Sequence, residues 1–289
     1  MNDLDPNKYY LTLHLNWGRE DYIHDIGFNA ERPEYLSTEL SYNGAKLLEP
    51  AFLYKHFRPN EKSLESLKKS YLYFSDPKNF GDEYDCLISD DTYITQIINE
   101  SIFTKEKLGV CCFCTIPDED QMWDYYSSGF KGFVVKYKNK PNLLPYKEMN
   151  SLKSHVMYFI DNGPNNANLI ETLKGLQGKH FPQVVRNWQN QVLFQHELCR
   201  KRKKYNFEKE FRIICFNAID YERRIPVNNE CLDSIYIGNK MKREYLEELI
   251  PTLKENRNLK IFVVTHDYQN QRIKFLRMKN ISQLREHIK

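Results

Sequence analysis

At 289 residues the chain is long enough for one large domain or two small ones around a substantial core. Its 42 basic and 39 acidic residues leave a net charge of +3, so bulk charge favours neither nucleic acid nor an anionic membrane as a partner. No run approaches the ~20 apolar residues that a membrane-spanning helix needs.

The N-terminus, Met1-Asn2-Asp3-Leu4-Asp5-Pro6, lacks the basic and apolar regions of a signal peptide. Seven cysteines form no regular framework, and together these features predict a reduced, cytoplasmic setting with no membrane partner. Residues 1–50 show little periodicity beyond a short strand over Leu11–Leu15. They read as an N-terminal extension packed on a main domain, residues 51–289.

The main domain opens with Leu53-Tyr54-Lys55-His56-Phe57-Arg58 before Pro59, a strand by its aromatic content and by the proline that follows. Alternation sets Leu53, Lys55 and Phe57 against Tyr54, His56 and Arg58. A helix follows, with Asn60 or Ser63 as cap, then a strand over Tyr71–Ser75 and a turn through Pro77 and Gly81. A helix is expected over 92–105. The apolar run Gly109–Thr115 reads as a buried strand, and the Cys111-x-x-Cys114 spacing has no second ligand pair, so no metal is expected there. Next come a short helix around Trp123 and a strand over Phe133–Tyr137. A polar segment near 138–180 carries a strand at His155–Ile160 and reads as a mobile insertion. A long helix is expected from Val184 to Arg200, running into the cations Arg200-Lys201-Arg202-Lys203-Lys204 as a solvated C-terminus or a phosphate contact. Strands over Ser234–Gly238 and Lys260–Thr265 flank a helix over Arg243–Leu253, with an edge strand at Ile273–Arg277. Strands outnumber helices without regular βαβ alternation, which predicts α+β: mixed or antiparallel central sheets flanked by helices.

The chemistry centres on Phe207-Glu208-Lys209-Glu210-Phe211-Arg212-Ile213-Ile214. Period-two alternation puts Phe207, Phe211 and Ile213 on one face, interrupted by Lys209, and Glu208, Glu210 and Arg212 on the other. Two carboxylates beside a guanidinium suit either an active site or a solvated surface ion pair.

Several motifs together resemble the bacterial domain of unknown function 2971 family over roughly residues 51–280. They are Leu53–Arg58, Leu72-Tyr73-Phe74-Ser75-x-Pro77-x-x-Phe80, Met122-Trp123-x-x-Tyr126, Lys131-Gly132-Phe133, Glu208–Ile214 and Ile235-Tyr236-Ile237-Gly238. The chain departs from that pattern at Phe80–Asp85 and at His56, where a Tyr is common. The resemblance implies a setting in bacterial mobile or phage-defence neighbourhoods. A second resemblance is to the ADP-ribosyltransferase superfamily. It implies an ADP-ribosyltransferase-like fold that uses NAD as substrate, with Tyr54, His56, Arg58, Tyr73, Ser75, Trp123 and Tyr126 around the cofactor and Glu208, Glu210 and Arg212 as catalytic groups. In that chemistry cations hold the pyrophosphate, an aromatic stacks on nicotinamide, and a carboxylate stabilises the oxocarbenium-like charge.

The leading expectation is therefore an NAD-dependent transferase, acting as a toxin or phage-defence effector on an unidentified protein or nucleic-acid acceptor. One alternative is a non-catalytic sensor that binds a nucleotide or a phage component. Another is a nuclease using Asp82, Asp85, Glu208 and Glu210 with Mg²⁺ and the 200–204 cations.

Overall fold

The computed structural model describes residues 8–17, 20–29, 32–82, 85–86, 107–145, 149, 151–159, 195–256, 258–267, 269–270 and 272–288. The architecture is α+β, with mixed sheets and a few helices. By internal contact the chain divides into two units. The first comprises Met1–Glu49, Pro77–Glu106 and Ser154–Tyr205; the second comprises Pro50–Asp76, Lys107–Lys153 and Asn206–Lys289. The expected single domain over 51–289 is thus divided between the two.

In the first unit, β1 (Lys8–Trp17), β2 (Glu20–Asn29), β3 (Arg32–Tyr42) and β4 (Ala45–Lys46) form an antiparallel meander in sequence order. The sequence reading assigned one short strand here. Its signal is blurred because apolar neighbours such as Tyr22 and Ile23 occupy consecutive positions of one strand, which erases the two-residue period. Further along, β10 (Met157–Phe159) pairs in parallel with β11 (Arg200–Arg202). The helix expected over 92–105, the centre of the 138–180 insertion and the start of the helix expected from Val184 lie outside the described residues.

The second unit is built on an eight-stranded sheet of order β16-β15-β14-β8-β5-β7-β12-β9. These strands are β5 (Phe52–Phe57), β7 (Gly109–Cys114), β8 (Phe133–Lys138), β9 (Ser151–His155), β12 (Glu210–Cys215), β14 (Leu232–Gly238), β15 (Lys260–Asp267) and β16 (Arg272–Met278). β14 and β15 pair in parallel through the crossover helix α3 (Arg243–Glu255), whose Leu246, Leu249, Ile250 and Leu253 recur at helical spacing and are buried. Helix α1 (Glu61–Lys68) begins at Asn60, whose side chain accepts from the Ser63 amide at 2.9 Å. It leads to β6 (Tyr71–Tyr73), which pairs with β13 (Arg224–Pro226). Helix α2 (Asp120–Tyr126) joins β7 to β8, and α4 (Ile281–His287) ends the unit.

The sheet has two different faces. Leu53, Phe57, Phe113, Phe211 and Ile213 join Leu67 of α1 and the α3 leucines in the main core. On the opposite face Tyr54, Cys114, Val134 and Tyr236 pack with Met122 and Trp123 of α2 in a smaller cluster. Among the described residues no helix is long and apolar enough to cross a membrane.

Candidate functional site

The Glu-x-Glu stretch does not run as one strand. Residues Lys203–Glu208 form 3₁₀ turns, and Lys209 takes φ of 42°, in the left-handed region. The strand starts only at Glu210. The reversal at Lys209 places Phe207 against the α2-side cluster, whereas Phe211 and Ile213 enter the main core. The sequence expectation that these three share a face is therefore corrected, because alternation does not carry through a left-handed residue.

From Glu210 onward the alternation holds, but its charged face is buried rather than solvated. Arg212 is 0% exposed and Glu210 3%. The guanidinium donates from Nε to Glu210 Oε1 at 2.7 Å and from Nη2 to Oε2 at 3.0 Å, a bidentate pair. Both carboxylate oxygens are thereby occupied. Glu208 accepts from the Tyr126 hydroxyl at 2.7 Å, which brings one expected cofactor residue to one expected catalytic residue.

His56 sits on the same sheet face as Tyr54. Its Nδ1 lies 3.0 Å from Ser127 Oγ, its ring meets Trp123 edge-on at 5.6 Å, and its buried Nε2 has no hydrogen-bond partner among the described residues. Burial, reinforced by the neighbouring Lys55 charge, pushes its pKa down to about 3, so the imidazole is neutral at physiological pH. It supplies no cation for a pyrophosphate. Trp123 is fully buried, stacks on Phe130 and donates to the Pro117 carbonyl at 2.9 Å, which anchors α2 and leaves no ring face for a ligand. Burial, then the neighbouring Tyr236 and Asp233, raise the Tyr54 phenol to about 12. Arg58 is exposed beyond the strand and donates to the Tyr125 carbonyl at 3.3 Å.

Tyr73 and Ser75 lie elsewhere. They line a cleft of about 500 Å³ with Lys55, Lys62, Glu65 and Arg224, on the side of β5 that carries Lys55 and Phe57. The strand period forces this separation, since Lys55 and His56 are neighbours in sequence and point to opposite faces. The expected cofactor set is therefore divided between the two sides of the sheet.

The cleft has a marked charge balance. Glu65 is held by Lys69 at 2.7 Å and accepts from the Tyr71 hydroxyl at 3.3 Å, which keeps its carboxyl below its usual range. Lys55 Nζ donates to the Cys112 carbonyl at 2.9 Å and lies 5.7 Å from the centre of the Phe113 ring. Burial lowers the pKa of this ammonium, but the neighbouring Cys111 and Cys112 thiols and the Glu210 carboxylate outweigh that effect and hold it above normal. Arg224 stands opposite Tyr73 in the β13–β6 register, with its guanidinium 5.7 Å from the Tyr71 ring. Among the described residues, Lys55, Lys62 and Arg224 form no salt bridge.

Sequence reasoning missed these three cations. A lysine between Leu53 and Phe57 on a core-facing stripe was the available signal for Lys55. Arg224 had none, because its place beside Tyr73 depends on a pairing of strands about 150 residues apart.

Asp82 and Asp85 of the nuclease alternative pair with two of its cations in the first unit. Lys201 pairs with Asp85 at 3.1 Å, Arg202 donates from Nε to Asp82 at 3.0 Å, and Arg200 pairs with Glu197 at 3.1 Å. Arg200 to Arg202 form a strand, and Arg200 and Lys201 are buried, so the expected solvated helix end is corrected. Cys111 and Cys114 point to opposite sheet faces and cannot share a ligand, and burial raises the Cys114 thiol to about 12. Among the described residues no three His, Cys, Asp or Glu side chains converge on a metal-sized site.

Residues 122–213 match the model of the family described as protein of unknown function (DUF2971). The matched segment runs from α2 to the middle of β12 and so includes Trp123, Tyr126, Glu208, Glu210 and Arg212. The domain of unknown function 2971 resemblance is thus supported over the centre of the chain. No curated protein and no solved structure matches it, and neither result points to the ADP-ribosyltransferase superfamily.

Proposed function

We propose that the second unit binds a phosphorylated ligand carrying an aromatic ring, a nucleotide such as NAD, in the cleft between β5, α1, β6 and β13. The observation that carries this reading is three cations that form no salt bridge among the described residues, Lys55, Lys62 and Arg224, around one cleft that also holds Glu65, beside the half-exposed ring of Tyr73. Unpaired cations at a concave polar site are matched by an anion, and a guanidinium with two ammonium groups suits a pyrophosphate. Tyr73, 49% exposed, offers a face to a base or to nicotinamide. The cleft volume falls within the range of small-molecule sites.

In this reading the protein is a nucleotide sensor, and a phage-defence role is one setting in which such a sensor would work. Turnover of NAD by an ADP-ribosyltransferase-like step is the bolder version. It is less favoured because Glu210 is held by Arg212 and lies on the opposite sheet face from Tyr73 and Ser75.

A thermal-shift titration of the full chain with NAD, ADP and inorganic phosphate tests the reading. A ligand at 100 times its Kd adds about 2.7 kcal/mol, which is about 5–10 °C for a protein of this size. The expected result is a shift with NAD or ADP that Tyr73→Ala and Arg224→Ala each reduce. Shifts that are absent at millimolar ligand, or equal in the variants, overturn it.

A further inference from the structure

The sheet face opposite the main core is only partly covered by α2, and its open part combines aromatic rings with cations. The register fixes this. Phe52 stands opposite Lys138, Tyr54 opposite Lys136, Lys136 opposite Ser234, and Ser234 opposite Lys260, all on one face. One step along, Tyr236 stands beside Phe262, and Phe262 opposite Arg277. Tyr236 stacks on Phe262 at 5.0 Å and meets Phe275 edge-on at 5.4 Å, so the half-buried phenylalanines stand on a tyrosine floor. Phe52 is 36% exposed, with the Lys136 ammonium 3.7 Å from its ring centre.

Glu119, Asp120, Glu208 and Glu210 lie on this face towards α2 and β12, whereas its open part carries more cations than acids. Lys136, Lys138, Lys260 and Arg277 are set against Asp233, which Lys136 and Lys260 share at 3.4 and 3.2 Å, and Asp118, which lies near Tyr54. A sheet with one solvated face ordinarily carries polar side chains there. Aromatic rings interleaved with Lys and Arg are instead what stacks bases and tracks a phosphate backbone. Chain-wide charge gives no hint of this, because the cations are gathered on one face by strand pairing rather than clustered in sequence.

We infer that this face, centred on Phe52, Phe262 and Phe275 and flanked by Lys136, Lys260 and Arg277, docks a single-stranded nucleic acid. The site is separate from the cleft and does not depend on a ligand there.

Fluorescence anisotropy of the full chain with a labelled single-stranded oligonucleotide of about 20 nucleotides, longer than one stacking platform requires, tests it. With about three phosphates neutralised, affinity falls by roughly 15-fold between 50 and 200 mM salt. Phe262→Ala and Phe275→Ala are each expected to weaken binding by about fivefold or more. The exposed charge reversals Lys260→Glu and Arg277→Glu weaken it without touching the core, and Tyr73→Ala leaves it unchanged. Three results overturn the inference: no binding at 50 mM salt, equal binding of a duplex, or wild-type affinity in the phenylalanine variants.

Discussion

Removing the Glu210 carboxylate separates a structural role from a catalytic one. Arg212 is completely buried, and both of its bonds to Glu210 are short and aligned. In Glu210→Ala the guanidinium keeps its charge but loses both of its bonds to that carboxylate. Breaking a buried pair from one side costs about 3–5 kcal/mol. With a urea m-value of about 3 kcal/mol/M, the unfolding midpoint drops by about 1–1.7 M. Urea denaturation followed by far-UV circular dichroism reads this directly. Glu210→Leu combined with Arg212→Met removes both charges and is expected to recover most of the loss, since apolar replacements of a buried pair are often neutral or better. A midpoint for Glu210→Ala within about 0.3 M of wild type, a shift of only about 1 kcal/mol, would refute the reasoning. Abolished activity in a Glu210→Gln protein of unchanged stability would do the same, because it would make Glu210 a reacting group.

Two other positions carry expectations of a different kind. His56 has a folded pKa of about 3 against an ordinary value of 6.5, so the unfolded chain takes up its proton first as pH falls. Its contribution to stability is complete above about pH 6.5 and is lost towards pH 3, by up to about 1.4 kcal/mol per pH unit. His56→Gln should flatten that part of a stability–pH curve measured by urea titration, and an unchanged slope would contradict the assignment. At Gly132 a Cβ would lie 2.1 Å from the Phe57 carbonyl oxygen and 3.1 Å from that of Ser127, both backbone atoms. Gly132→Ala should therefore yield little soluble protein with native near-UV dichroism, whereas a normal yield would show that β5 and β8 can separate there.

Much of the second unit was legible because its elements carry strong local signals. The Asn60 cap, the leucine stripe of α3 and the continuous apolar runs of β7 and β14, which are buried on both faces, are such signals, and the structure forms all of them. The antiparallel meander was not legible, since its strands lack a clean two-residue period and are defined by pairing with one another. At the candidate site, residue types were easier to read than their placement. Tyr126 and Glu208 meet in a hydrogen bond, but Lys209 turns the chain before the strand begins. The strand period likewise sends Tyr54 and His56 away from the cleft that Tyr73 and Ser75 line. Arg224 joins that cleft only through a long-range strand pair, which no local pattern encodes. The basic run at 200–204 resembled an exposed anion site because its acidic partners, Asp82 and Asp85, lie more than a hundred residues earlier in the chain.

The measurement that tests the central claim most directly is a crystal structure of the full chain soaked with NAD. The account predicts ligand density in the cleft, with phosphate oxygens within hydrogen-bonding reach of Lys55 and Arg224 and a ring against Tyr73. An empty cleft, or ligand density on the opposite sheet face against Tyr126 and Glu208, would contradict it.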